Sequence, residues 1–430
     1  MHRDSTVIAK PALFGDFRLL FALFIALRLT LAVVYQPYLL ERYDADGAPA
    51  PVERGLSAFG DYQHYFQFAK LSDEGLLPYR DYWYEFPPVW SALFIGAYRL
   101  LAARGAVDYT SWVTLLGLLL LVADVGNLML VRRLGRLLHG EETAQALAWI
   151  YALLAAPLIF AWWTFETLVA LAILAALVGL VEGRLDRSAG AVVVGALTKY
   201  TPLLVLPAVW RFCAWRKALR YTAISLGLVG LMLGMLVVWG GELGVASLTA
   251  QYQKASYQSV WALIDGNWRT GSFAGLDAHF DPEAAAAPLG NPSVFPGWAR
   301  LVVFGGLGLW IYARLRRRDA QGMVAFVTVT FVLFFLWAQG WSPQWTVTLA
   351  PLILLNFPTR EGVLACVLLC ALAFVEYPVL FMRTGATGGE ISGALVLPYA
   401  AVIVARTGLL AALAVALYRE LRKTGGDAEI

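Results

Sequence analysis

Apolar stretches of about 20 residues recur along the whole chain, and each is long enough to cross a hydrocarbon core ~30 Å thick. They fall at residues 17–38, 88–103, 110–131, 143–161, 164–182, 189–210, 221–239, 297–313, 321–339, 345–357, 363–382 and 393–417. Within a bilayer every backbone amide must find its partner inside the protein, and these runs lack the alternation of a barrel strand, so they read as helices. Composition points the same way. Hydrophobic residues make up 60% of the 430 and charged residues 15%, where a soluble domain carries roughly a quarter. The expected fold class is all-α: a polytopic transmembrane helix bundle of about 10–12 membrane segments, forming one membrane domain over residues 1–430. Two long loops, 39–87 and 240–296, interrupt it.

Net charge is +3, and the basic residues cluster between apolar runs, the pattern that orients membrane helices rather than one that binds nucleic acid. Cys213, Cys366 and Cys370 lie in or beside apolar segments with no metal-ligand spacing, and read as packing residues. The first apolar run is followed by no small-residue cleavage site and reads as a retained anchor. Clusters at Arg211–Arg220, Arg314–Arg318 and Arg419–Lys423 belong on the cytoplasmic face of a plasma membrane. The 240–296 loop, the turn at 340–344 and the 383–392 loop then fall outside, with both termini inside. Strict alternation would put Arg132–Arg136 outside, against the rule. The conflict disappears if 88–103 dips without crossing and 189–210 is a broken re-entrant hairpin. Its centre, Lys199-Tyr200-Thr201-Pro202, carries a proline that removes a backbone donor. This arrangement puts Asp61 and Glu166 on one outer side.

The chemistry concentrates in the first loop. Tyr62, Tyr65, Phe66 and Ala69 recur at helical spacing, so 61–73 is expected to be a short amphipathic helix at the membrane boundary, ended by Gly75. Asp61, Asp81 and Glu85 then sit at the mouth of the bundle, where a carboxylate can accept a proton from a hydroxyl nucleophile. Asp61 can equally cap its helix. His64, one turn on, either orients a phosphate or faces water. Lys199 lies midway through an apolar segment, where a charge is expensive; it either contacts an anion or fills the helix break. Arg28 and Arg406 raise the same question or pair with buried carboxylates. Glu166 is a second acidic candidate, and Asp124 with Asn127 suggests interhelical hydrogen bonds. In the 240–296 loop, Arg269 contacts either a phosphate or Asp265, and His279 reads as a solvated surface histidine.

The run Asp61-(x3)-Tyr65-(x3)-Ala69, then Gly75, Pro78-Tyr79, Asp81 and Glu85-Phe86-Pro87-Pro88, resembles the first outer loop of the GT-C superfamily. It is most similar to the polyprenyl-phosphate-mannose-dependent mannosyltransferases of glycosyltransferase family 87. Thr198-Lys199-Tyr200-Thr201-Pro202-Leu203-Leu204 with Pro207, and Trp341-Ser342-Pro343-Gln344-Trp345 with Pro351, keep the order and spacing of that family. The resemblance implies a GT-C bundle that moves a sugar, mannose in this family, from a polyprenyl-phosphate donor to a hydroxyl with inversion. It casts Asp61 as general base and Lys199, Glu166, Asp81, Glu85, His64, Tyr65, Arg269 and Gln344 as substrate-binding candidates. It implies no cofactor and no metal, and as partners the lipid-linked donor, a lipid or glycan acceptor and membrane lipids. Some family members carry histidines where this chain has Ser342-Pro343-Gln344, so no second base transfers from that position. The rival reading is a transporter or flippase of a lipid-linked saccharide. That class builds its site from inverted repeats and paired broken helices, whereas this chain has one broken segment and no repeat.

Overall fold

The computed structural model describes residues 10–34, 39–43, 49–53, 60–105, 107–160, 162, 164–271, 275–287, 289–384 and 387–424. The apolar segments are helices. They comprise α1 (Lys10–Gly15), α2 (Phe17–Val34), α3 (Gly60–Leu71), α4 (Pro88–Ala102), α5 (Tyr109–His139), α6 (Glu141–Leu153), α7 (Ala155–Phe160), α8 (Glu166–Val181), α9 (Leu185–Ala196), α10 (Leu206–Phe212), α11 (Trp215–Gln253), α12 (Val260–Asp265), α13 (Gly297–Arg314), α14 (Ala320–Trp337), α15 (Thr346–Asn356), α16 (Arg360–Phe374), α17 (Phe381–Thr384) and α18 (Val396–Arg422). Among the described residues the fold is all-α apart from one ribbon in the first loop, where β1 (Leu39–Tyr43) pairs antiparallel with β2 (Pro49–Glu53). Six helical stretches among the described residues are long and apolar enough to cross a membrane by themselves. Side-chain oxygens cap several starts: Asp108 accepts from Ser111 N at 2.8 Å before α5, and Asp319 from Gly322 N at 2.7 Å before α14. Pro88 opens α4 from an extended Pro87, where its missing donor costs nothing.

Interhelical bonds define two ends of the bundle. At one, Arg133 donates to Glu182 at 2.7 Å, Arg220 to Asp186 at 2.8 Å, Arg211 to the Tyr312 carbonyl at 3.1 Å, and Arg316 N to the Leu421 carbonyl at 2.8 Å. All the basic clusters therefore meet there, Arg132–Arg136 included. At the other end Tyr62 donates to the Trp162 carbonyl at 3.1 Å, and Trp83 to the Ala278 carbonyl at 2.9 Å.

This frame accounts for the two irregular segments. Asp186, in the first turn of α9, is tied to the start of α11 by Arg220, and Ser188 lies 2.8 Å from the Tyr221 hydroxyl. Helix α10 ends at Phe212, three residues before α11 begins. The 185–212 segment thus enters and leaves at the basic end, and its tip, residues 197–200, reaches Glu166 at the other. A re-entrant hairpin is what the sequence suggested. Packing at the tip is tight: a Cβ on Gly195 would lie 2.6 Å from Ala172 and 2.8 Å from Pro202. Helix α4 stays at the far end, with Val89 N donating to Leu197 O at 2.9 Å and Arg99 pairing with Asp73 at 3.0 Å.

Two expectations change. The second long loop does not begin at residue 240. Helix α11 breaks at Gly241 (φ +56°) and continues to Gln253. The apolar pattern stops at the break because the turns beyond it pack against the first loop, Ala246 and Ala250 clustering with Trp83. The amphipathic helix is shorter than 61–73: α3 closes at Leu71 with a 3-10 turn and Gly75 at φ +78°. Glycine suits that left-handed position because no Cβ opposes it.

Three buried polar clusters cross-link the bundle, as is required where no water competes. Arg28 pairs with Asp124, which also accepts from Tyr151 at 2.6 Å. Asn127 donates to Thr167 O at 3.1 Å. Arg406 pairs with Glu376, and Glu376 accepts from Trp341 at 3.0 Å.

Candidate active site

Two adjoining chambers open at the far end, of ≈ 220 and ≈ 110 Å³, and both are walled by Asp61, Tyr65, Glu85, Phe86 and Lys254. Asp61 is in the first turn of α3, and its side chain is not a cap: no described residue donates a hydrogen bond to its carboxylate. Desolvation raises its pKa to about 6, the negative charge of Glu85 adds to that, and Lys254 opposes it. A carboxylate held there, with no partner among the described residues, is poised near neutrality and lines both cavities.

Glu85 does not point alone into this space. It forms an ion pair with Lys254, the residue that follows α11. Burial pulls the Lys254 pKa down most strongly, but Glu85, Tyr257 and Asp61 together raise it above its ordinary value, so the ammonium stays charged. The first loop and the end of α11 are held together further by Ser247, which accepts from Tyr84 N at 2.9 Å, and Lys254 O accepts from Gln339 at 2.6 Å.

The smaller chamber reaches Lys199 at the hairpin tip. Its ammonium lies 2.7 Å from Glu166 and 4.9 Å from the centre of the Trp345 ring. Glu166, at the start of α8, also accepts from Thr348 at 3.2 Å. It serves to hold the lysine in place behind the chamber wall. Gln344 lines the same chamber and is held by the Thr164 hydroxyl.

The larger chamber runs the other way, past His64 and Trp83 to His279. His279 is not a surface histidine. It is 4% exposed, its ring stacks on Trp83 at 3.8 Å, and its Nδ1 bonds the Trp83 carbonyl at 2.8 Å. His64 Nε2 lies 3.4 Å from His279 Nε2. Burial lowers the pKa of both rings, that of His64 to about 4, with each other's charge also disfavoured at His64. Both are neutral at physiological pH.

Asp61, Glu85, Tyr65, His64, Lys199 and Gln344 therefore line one connected space, with Glu166 directly behind it. Asp81 does not. It pairs with Arg80 at 2.6 Å, accepts from Leu77 N at 2.7 Å and braces the loop outside the chambers. Arg269 is also elsewhere: its backbone bridges Glu390, and it forms no pair with Asp265, which is buried and accepts from Ser256 at 2.6 Å and Val294 N at 2.7 Å. Sequence reasoning passed over Lys254 and read His279 as a solvated surface residue. The signal for Lys254 was a lone lysine fifteen residues beyond an apolar run that seemed to end at 239; for burial of His279 there was none, because a lone loop histidine carries no local pattern.

No group of three or more His, Cys, Asp or Glu able to hold a metal ion occurs among the described residues. No family model matches the chain. No curated protein does either. Among solved structures, the Archaeoglobus fulgidus oligosaccharyltransferase in its apo form aligns with 96% of this chain and 57% of its own, at 12% identity and a TM-score of 0.42. The archaeal oligosaccharyltransferase AglB from the same organism, in complex with an inhibitory peptide and a dolichol-phosphate, aligns with 95% and 56%, at 12% identity and a TM-score of 0.42. This chain spans a little over half the length of those proteins.

Proposed function

We propose that the chain is a membrane-embedded inverting glycosyltransferase that moves a sugar, mannose by its motif resemblance, from a polyprenyl monophosphate to an acceptor hydroxyl. The observation that carries this reading is the Asp61 carboxylate at the junction of two chambers, without a partner among the described residues, with Lys199 across one of them. Asp61 takes the acceptor proton as that oxygen attacks the anomeric carbon. The anomeric carbon–oxygen bond to phosphate breaks, and polyprenyl phosphate leaves with the electron pair. Lys199 meets the departing phosphate, and the surrounding low dielectric makes such a contact stronger than it would be in water. Burial and the Glu85 charge, against the opposing pull of Lys254, hold the base near neutrality, where proton transfer is most effective. The positive-inside rule assigns the basic end to the cytoplasm, so this site opens extracytoplasmically.

The test is transfer by purified protein in nanodiscs from radiolabelled polyprenyl-phosphate mannose to mixed membrane glycolipids, wild type against Asp61→Asn. A general base is worth roughly 10²–10⁴ in rate, and a loss of that size with unchanged folding is expected. Near-wild-type transfer by Asp61→Asn would remove Asp61 as the base. No transfer by wild type with any lipid-phosphate sugar would remove the enzyme reading.

A further inference from the structure

The two chambers share Asp61 but differ in the walls they do not share. Beyond the common residues, the smaller one has Lys199 and the amides of Gln251, Gln258 and Gln344. The larger has no charged side chain of its own among the described residues: it offers imidazoles, aromatic rings, aliphatic side chains and the single amide of Gln253. A base at the junction of an in-line displacement has the leaving group on one side and the nucleophile on the other. The cation fixes which is which for a phosphate leaving group.

The histidine pair adds a hydrogen-bonding pattern. His279 Nδ1 faces a carbonyl, which can only accept, so the proton sits on Nδ1 and Nε2 carries a lone pair. That lone pair faces His64 Nε2 at 3.4 Å, so His64 donates from Nε2 and keeps an acceptor lone pair on Nδ1. No described residue donates to it. On α3, Asp61 and His64 are three residues apart and lie on one face, one turn from each other. Two acceptors at that spacing suit two neighbouring hydroxyls of one ring, and Trp83 and Phe68 supply apolar surface beside them.

Resting on the glycosyltransferase reading, we propose that the larger chamber is the acceptor site, and that it takes an uncharged saccharide ring whose adjacent hydroxyls are read by Asp61 and His64. An acidic sugar or a phosphorylated one meets two carboxylates and no free cation there. A serine or threonine side chain offers one hydroxyl and leaves His64 unmet.

Equilibrium binding tests this without turnover. The probes are a tritium-labelled alkyl mannoside, the matching alkyl uronate and a short-chain polyprenyl phosphate. The proteins are wild type, His64→Phe, His64→Gln and the double variant Lys199→Gln with Glu166→Gln, each monodisperse in nanodiscs. His64→Phe is expected to weaken mannoside about tenfold and leave polyprenyl phosphate within twofold; His64→Gln, which restores an acceptor, recovers most of the loss. The double variant weakens polyprenyl phosphate and spares mannoside. Uronate bound as tightly as mannoside, or mannoside binding lost in the lysine variant and kept in His64→Phe, overturns the assignment. Selective mannoside binding without any transfer activity would leave the saccharide site standing and remove the enzyme reading instead.

Discussion

At the scale of single residues, Asp61 is a group the fold holds against its own preference. Its pKa is raised from 3.8 to about 6, so the folded state binds a proton more readily than the unfolded chain. Stability from that proton is complete below pH 3.8 and is lost as pH rises through 6. Wild type therefore carries a penalty at neutral pH that Asp61→Asn lacks. Thermal melts are expected to show the variant more stable than wild type at pH 7.5, by up to about 3 kcal/mol, with the difference closing by pH 4. A melt difference that stays constant across this range would mean that the carboxylate is solvated. The same value sets the rate profile: only the carboxylate form accepts a proton, so kcat/KM falls about tenfold per unit below pH 6 and is flat above it. A flat profile down to pH 5 would argue for a base with an ordinary carboxylate pKa.

At the scale of elements, the position of the base depends on close backbone packing that few residues permit. A Cβ on Gly240 would fall 1.8 Å from the Tyr79 carbonyl. Tyr79 itself sits at φ +72°, and donates its amide to Tyr82 O at 2.8 Å and its hydroxyl to Phe86 O at 2.8 Å. The loop that carries Glu85 is thus pressed onto the break in α11. Gly240→Ala is expected to cost about 1–3 kcal/mol and to reduce transfer, because the Glu85–Lys254 pair shifts with the loop. Gly234→Ala, where an added Cβ meets nothing within 4 Å, serves as the control and leaves both unchanged. Equal melts for the two variants would contradict the close approach. This element also shows what the sequence could and could not convey. The helical runs were legible because burial in lipid demands length and apolarity, and α3 was legible from Tyr62, Tyr65, Phe66 and Ala69 on one face. Lys199 stood out because charge is costly within an apolar run, and Asp61 and Glu85 by their place in the first-loop motif at the bundle mouth. The amphipathic end of α11 was not legible: Glu242, Ser247 and Gln251 break the hydropathy signal, although the helix continues over the site. Lys254 was hidden with it. Asp81 matched the motif spacing but is turned to Arg80, a choice made by tertiary packing that no local pattern records.

At the scale of the whole molecule, the re-entrant hairpin decides both the topology and the chemistry. If 185–212 crossed the membrane once, Lys199 would lie mid-bilayer and Arg132–Arg136 would face the wrong side; as a hairpin it carries Lys199 to the site and returns Arg211 to the basic end. Burying that lysine is tolerated because Glu166 meets it at 2.7 Å, and an unpaired charge at such depth would cost several kcal/mol, on the order of 3–5. Thiol labelling reads the topology directly. In a background with Cys213→Ser, leaving only the buried Cys366 and Cys370, single substitutions are placed at the exposed positions Asp186→Cys, Arg216→Cys and Thr387→Cys. An impermeant maleimide is expected to reach the first two from the cytoplasmic side only, and the third from the opposite side only. Labelling of positions 186 and 216 from opposite faces would turn the hairpin into a crossing and strand Lys199 away from Asp61. Labelling of both from outside would keep the hairpin but invert the bundle, putting the chambers on the cytoplasmic face, where the donor would have to be lipid-linked on the inner leaflet.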